Sequence, residues 1–354
     1  MNKMVNYTVK NANVFVGLED SKRTWKLCIR SNNIVVQETS MPARYGVLKS
    51  FFKNNYPGCK IFVIYETGFK GFTLHDKLVA DDYHCVVTPA HTVVEEKSNR
   101  VKCDKKDARR LALNLEKGDY KVCHVPDKEL REDRQISRTL IQVQKEITRC
   151  KNRIRKFFDF HGFDESFIAG RWYEREYNNL VEPSLSEPLH CCYNLYREQL
   201  ALFTDMKRRL RKELRRLSKK TRYKKLFKIF LSAPGVGWFT AIRLVLEWGD
   251  NLTRFVTNKK FASFTGLTCK ESSSGETVHR GHISRQGKSH VRGWLIECAW
   301  TAYKRDPALL HKFRRVYSAT SSKKKAIVAV ARKLAVRLRT LAISGETYKL
   351  GIIQ

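Results

Sequence analysis

Acidic residues are scarce in this chain. Against 69 Lys and Arg stand only 35 Asp and Glu, a formal charge of +34 over 354 residues. That excess is far beyond what solubility needs and implies a polyanionic partner. Long apolar runs are also missing: no stretch of about 18 uninterrupted apolar residues exists to span a bilayer. Because the basic residues run through the whole chain, DNA or RNA fits better than a membrane surface. Paired cysteine motifs are absent as well. The ten cysteines, Cys28, Cys59, Cys85, Cys103, Cys123, Cys150, Cys191, Cys192, Cys269 and Cys298, contain no CxxC, which argues against zinc ribbons and against a secreted disulfide framework. Reduced thiols are expected. The opening MNKMVNYTVKNANVFVGL lacks the apolar run and small-residue cleavage site of a secretory signal, so a cytoplasmic chain is expected. No internal repeat or low-complexity tract is evident.

What is there suggests two globular domains, since a chain of this length buries more than one core. From Asn13 to about Val122, short β-rich runs (NVFVGL, TWKLCIR, NIVVQET, KIFVIYE, YHCVVTP) alternate with helical segments. Three sequential strands followed by helix-separated strands is the order of a ribonuclease-H-like fold, although a generic α/β domain produces similar runs. From about Asp127 to Phe160 and from about Cys192 to Phe230, apolar residues recur at helical spacing amid dense charge, as in Leu202, Met206, Leu210, Leu214 and Leu217. Long paired helices are predicted there. From Lys207 to Lys225, twelve of nineteen residues are Lys or Arg and only Glu213 is acidic. Surface helices normally interleave both signs, so phosphate contact through residues such as Lys207, Arg208, Arg211 and Arg215 explains the run better than a solvated face. From Leu231 onward, Gly and Ser punctuate a shorter, mainly helical region ending in the amphipathic KKKAIVAVARKLAVRL.

Carboxylates sit where chemistry uses them. Glu66 follows the apolar run KIFVIY, and Glu19 and Asp20 end the first predicted strand in the same way. Neighbouring strands of one sheet would bring such groups within metal-bridging distance. Asp104 and Asp107, in VKCDKKDARRLALNL, begin a predicted helix three residues apart and share one face of it. Helix capping and dipole complementation compete as explanations for both aspartates. Four acids converging on one site would hold two Mg²⁺ ions, with Mn²⁺ as the substitute, to clamp the attacking and departing oxygens of a phosphodiester.

Pro234, Gly235, Val236 and Gly237 precede an apolar helix starting near Phe239. The turn resembles a helix-hairpin-helix, whose bare amides receive a DNA phosphate; a turn serving backbone geometry alone is the competing reading. In KESSSGETVHRGHISRQGKSHVRG, a serine-glycine loop is followed by His279, Arg280, Arg285, Lys288, His290 and Arg292, cations suited to gripping phosphates around an exposed hydroxyl. A serine attacking phosphorus needs its proton removed and the pentavalent oxygens stabilised, which nearby cations or metal supply. A serine-rich surface turn is the alternative.

Read in order, VGLEDSK, IYETGF, KCDKKDARRLA, LSAPGVGWFTA, RFVTNKKFASFTGLT, SSGETVHRGHISRQGKSHVRGWL and AIVAVARKLAV resemble insertion-sequence family one-hundred-ten, transposases related to the pilin-gene DNA invertases. The resemblance spans nearly the whole chain. It implies a RuvC-like, ribonuclease-H-like DEDD domain over residues 1–126, a basic coiled-coil region over 127–230, and a serine transposase domain over 231–354. It puts the second, third and fourth family acids on Glu66, Asp104 and Asp107 and the nucleophile on Ser274, with Ser273 as the fallback. At the first acid the family usually carries Gly-Ile-Asp, whereas this chain has Gly17, Leu18 and Glu19, then Asp20. Glu19 is the expected ligand and Asp20 the substitute; a glutamate reaches about one methylene farther, which shifts a geometry tuned for aspartate. The resemblance further implies DNA strand transfer through a covalent serine-phosphate linkage, donor and target duplexes selected by a structured bridge RNA, and homo-oligomers, dimeric and then tetrameric in the synapse. Two other readings compete. A metal nuclease resembling Holliday-junction resolvases would use the four acids and no serine, and a nucleic-acid-binding protein impaired by the Glu19 change would bind without cutting.

Overall fold

A computed structural model describes residues 11–90, 103–163, 184–274, 277–284 and 286–351. The chain divides after Val125 into two compact units. The first is mixed α/β. Strands β1 (Asn13–Asp20), β2 (Thr24–Ser31) and β3 (Ile34–Pro42) form an antiparallel meander. Asn32 and Asn33, both at positive φ, supply the two-residue turn between β2 and β3, a conformation Asn tolerates better than most residues. Helix α1 (Tyr45–Asn55) leads to β4 (Lys60–Glu66), and α2 (Thr73–Ala80) to β5 (His84–Thr88). Both strands add in parallel, giving the order β3-β2-β1-β4-β5. Meander first and crossovers after is the expected order, and it fits a ribonuclease-H-like sheet.

Both faces of this sheet are covered, which is why its central strands are nearly continuous apolar runs. Alternation sorts them. Val14, Val16, Leu18, Ile61, Val63 and Tyr65 join the core that contains Leu48, Phe52, Leu74 and Leu78 of α1 and α2. Phe15, Phe62 and Ile64 turn the other way, toward Leu111 and Leu115 of α3 (Asp104–Lys117). Helix α3 crosses β1 at Gly17, where a Cβ would stand 2.1 Å from the Ala108 carbonyl oxygen and 2.4 Å from the Ala112 nitrogen. Only a residue without a side chain permits that approach.

The second unit is mostly helical. Helices α4 (Lys128–Phe160) and α5 (Glu187–Lys219) are antiparallel: Phe158 meets Tyr193 at 5.1 Å between ring centroids, while Lys220, just past α5, pairs with Asp133 at 2.8 Å. The predicted second long helix is thus broken at Lys220, before α6 (Thr221–Leu231). The expected leucine stripe departs at its first residue, while Met206 and Leu210 pack against the buried clusters. Leu214 and Leu217 are buried, but Leu202 is 54% exposed, and Leu200 takes the inward position. Next come α7 (Trp238–Trp248), α8 (Asn258–Phe264), a hairpin of β6 (Cys269–Ser274) and β7 (Thr277–Ile283), α9 (Ser289–Arg305), α10 (Pro307–Thr320) and α11 (Lys323–Ser344). The region read as a serine-glycine loop is therefore largely strand. A buried carboxylate knots the end of the chain. Asp306, 1% exposed, accepts from Leu309 N at 2.9 Å, Arg337 at 2.7 Å, Tyr348 Oη at 2.7 Å and Gly351 N at 3.1 Å.

None of the ten cysteines forms a disulfide. Among the described residues, no helix is long and apolar enough to cross a membrane.

Candidate active site

The register of the first unit decides which acids share a face. Leu18 of β1 stands beside Tyr65 of β4 in a parallel pair, so Glu19 and Glu66 follow as neighbours at the carboxyl ends of the two strands. Each lies two residues beyond a position on the α3 side, Gly17 and Ile64, and by alternation both point to that side. Asp20 points the opposite way. It stands opposite Trp25, a residue of the α1/α2 core, accepts the Trp25 indole N–H at 2.6 Å and pairs with Lys70 at 2.8 Å.

Helix α3 brings the aspartates to the same edge. Glu116 reaches Arg30, which is opposite Phe15, and Arg109 reaches Glu38, which shares a row with Cys28 and Gly17. The helix therefore runs against β1. Five residues back from Arg109 is about 7.5 Å of helix, or roughly two strand residues, which sets Asp104 at the level of Glu19. Asp104 is also one turn before Ala108 and two before Leu111, on the stripe that faces the sheet. Neither aspartate caps the helix: the N-cap is Cys103, without a side-chain cap bond, and Asp107 pairs instead with Arg110 at 3.1 Å. All four donors are carboxylate oxygens, hard ligands suited to Mg²⁺ or Mn²⁺. They gather at one edge without closing on a point; among the described residues no three His, Cys, Asp or Glu stand close enough together to hold a metal.

In the second unit, Ser274 ends β6 and pairs across the hairpin with Thr277, and Ser273 pairs with Val278. Arg280 is paired in β7 with Glu271; Arg285 lies outside the described residues. The segment that follows is anchored inward. Lys288 gives its ammonium to Glu247, and His290 Nε2 lies 3.5 Å from the same carboxylate. Arg292 donates to the Gly266 carbonyl at 3.2 Å. Lys288 and Arg292, expected from sequence to contact phosphates, thus have partners within the protein.

Glu247, fully buried near the end of α7, does not stand out in the sequence. It also takes Arg138 of α4 at 3.1 Å. Burial alone would push its carboxyl up, but the adjacent His290 ring, the Lys288 charge and Arg138 hold it well below the usual carboxylate range. Burial pushes Lys288 the other way, down to about 8, although Glu247 opposes that. The last carbonyls of α7 are closed by cations too: Leu246 O accepts from Arg134 at 2.7 Å, Glu247 O from Lys288 at 3.1 Å, and Trp248 O from Arg254. A lone Arg and Glu four residues apart inside the apolar AIRLVLEW is the signal that could have found it.

The basic run of α5 divides in two. Arg208 is paired with Asp205 at 2.5 Å, whereas Arg211 and Arg215 stack on the rings of Trp238 and Phe239. Gly235, at φ +80°, has Cys298 O where a Cβ would go, and Gly237 is the N-cap of α7 with no side-chain cap. The α6–α7 turn therefore leaves the first amides of α7 without a side-chain acceptor.

Residues 16–162 match a DEDD transposase domain of IS110 elements, and residues 227–314 match the transposase IS116/IS110/IS902 family. A putative transposase of Sinorhizobium fredii is 25% identical over 289 residues, covering 81% of this chain and 70% of that protein. The transposase for insertion sequence element IS1533 of Leptospira borgpetersenii is 22% identical over 341 residues, 92% of this chain and 94% of that one. The pilin gene-inverting protein of Moraxella bovis is 29% identical over 108 residues, 30% of this chain and 33% of its own length. Two family matches, over residues 16–162 and 227–314, with relatives of one kind along most of the sequence, establish that the chain belongs to the IS110 family of transposases.

Proposed function

We propose that this chain excises and inserts an element by cutting and rejoining donor and target DNA through a serine-phosphate intermediate, with a structured RNA choosing the two duplexes. The observation that carries the reading is the shared edge: Glu19 and Glu66 end adjacent parallel strands on the α3 side, and the first turn of α3 brings Asp104 and Asp107 there. These residues would hold divalent metal, Mg²⁺ in the first instance, which when bound neutralises the charge that develops on the phosphate. Ser274 is the assigned nucleophile. Its oxygen bonds to phosphorus, the bond from phosphorus to the departing sugar oxygen breaks, and the serine proton leaves with solvent or a neighbouring base. The duplexes and RNA, and dimers that pair into a tetramer, are the partners on this reading; the +34 charge supports polyanion binding.

The test incubates protein, RNA transcribed from the DNA flanking the gene, Mg²⁺ and labelled donor and target duplexes, and looks for a denaturant-resistant protein–DNA adduct. Ser274→Ala should lose the adduct. Free cleaved ends made equally by both proteins would overturn serine chemistry in favour of a resolvase-like nuclease, and no metal-dependent product from either would leave a binding protein. The same assay separates the first acid from its neighbour. Glu19→Gln and Glu66→Gln should each reduce product by at least about a hundredfold, as losses of charge-stabilising groups at phosphate do. Asp20→Asn should retain most activity and lower stability by ~1–2 kcal/mol through its lost Lys70 pair. Inactive Asp20→Asn with active Glu19→Gln would reverse the assignment.

A further inference from the structure

Arg215, Trp238, Arg211, Phe239, Arg243 and Trp294 form one stack of alternating guanidinium groups and rings. The Arg215 guanidinium carbon is 4.6 Å from the Trp238 ring centre, and that of Arg211 is 5.6 Å from Trp238 and 4.8 Å from Phe239. Arg243, one turn along α7, sits 4.7 Å from Phe239 and 3.6 Å from Trp294 of α9. The stack thus runs from the basic end of α5, across the first turn of α7, to the helix that follows the serine hairpin.

Its charge is uncompensated. Arg243 is only 9% exposed, and its Nε has no hydrogen-bond partner. Among the described residues, none of the three arginines has a carboxylate at ion-pair distance. Glu247, a turn beyond Arg243, gives its oxygens to Arg138, Lys288 and His290. Burial first, and the nearby charge of Arg211, bring Arg243 down to about 10 against the pull of Glu247, so it remains charged at neutral pH. Ring faces offset part of the cost of desolvating a guanidinium, but they neutralise none of the repulsion between like charges. An interior needing only packing is better served by leucine or methionine at position 243. The missing component is an anion, and the α7 amino end, with its uncapped amides, faces the same need.

We propose that Arg211, Arg215 and Arg243, held between Trp238, Phe239 and Trp294, receive a backbone phosphate of bound nucleic acid at the amino end of α7. This rests on the reading that the chain handles nucleic acid but not on serine chemistry. Arg243 is the interior anchor, and Arg211 and Arg215 are the outer donors that first meet the strand. Planar guanidinium groups suit such a role because they stack and still present donors at the ring edge.

The test uses the full-length protein without divalent metal and follows fluorescence anisotropy of labelled duplex DNA and duplex RNA of unrelated sequence across a salt series. Arg243→Met keeps length and apolar packing while removing the charge. For each phosphate that is no longer neutralised, the slope of log affinity against log salt should shrink by about 0.9 on duplex DNA, independent of sequence. A shallower slope on one duplex alone identifies which nucleic acid supplies the phosphate. The ligand-free melting temperature of Arg243→Met should stay level or rise, because an unpaired buried charge has gone. An unchanged slope with a lowered melting temperature would make Arg243 a packing residue and overturn the proposal. If Arg243→Met fails to fold, Arg215→Gln on the exposed end carries the same slope test. Inorganic phosphate that raises the melting temperature of the wild type but not of Arg243→Met, with slopes unchanged, would make this a free-anion site and also overturn it. The Ser274→Ala adduct assay is independent, so either reading can fail alone.

Discussion

Gly17→Ala is expected to disable the first unit. The added carbon would stand 2.1 Å and 2.4 Å from backbone atoms of Ala108 and Ala112 and 3.0 Å from Leu111 Cβ, and backbone in mid-helix cannot rotate away as a side-chain tip does. Either α3 lifts from β1 or the strand bends. Both outcomes open the packing of Cys28 against Ala108 and Ala112 and cost on the order of 3 kcal/mol or more, at the upper end for overpacking. Gly46→Ala is the internal control. A Cβ there meets nothing within 4 Å, and the site lies in α1, so the change should be neutral or stabilise by up to ~1 kcal/mol. Hydrogen exchange resolved by peptide measures both: Gly17→Ala should lose protection over residues 104–117, and metal-dependent product should vanish with it, because Asp104 and Asp107 move with α3. Full protection in that helix would refute the close-packing argument.

Glu247→Ala should be the most damaging single change in the second unit. Removing one partner of a buried ion pair leaves the other uncompensated, at about 3–5 kcal/mol, and here the stranded group is Lys288, with Arg138 and His290 beside it. The pH dependence identifies the cause. Glu247 has a folded pKa below its ordinary 4.5, so its contribution is complete above that value and is lost as the pH falls through the acid range. Lys288 is lowered from 10.5 to about 8. Between those values the unfolded chain binds more protons, so this group makes stability rise with pH. Without Glu247 the lysine should shed its proton more readily still. The melting-temperature gap between wild type and Glu247→Ala should therefore narrow from neutral pH toward about pH 10; a constant gap would assign the loss to cavity formation instead.

The strands of the first unit could be read from sequence because each run is apolar and bounded by turn residues, and the meander-then-crossover order followed from their spacing. Which way Glu19 and Asp20 point could not be read. Burial on both faces makes VFVGL apolar at every second and every intervening position, so alternation has no visible phase until α3 is known to lie over Gly17. The long helices were visible as repeats, but the inward stripe near Leu202 was not, because leucine also occupies exposed positions along α5. The hairpin holding Ser274 was obscured by serine and glycine, which favour turns by composition. Glu247 was hidden for another reason: a buried charge is defined by partners such as Arg138, 109 residues away, and no local pattern records them.

The knot at Asp306 bears on how copies of such a gene decay. A stop codon just before Tyr348 would leave every element of the second unit in place, yet it would remove the Tyr348 hydroxyl and the Gly351 amide from a carboxylate that is 1% exposed. Two of its four donors would be gone from a site that water barely reaches. A slightly shortened copy would then tend to misfold and be cleared, rather than persist as an inert protein that occupies the DNA of its intact siblings.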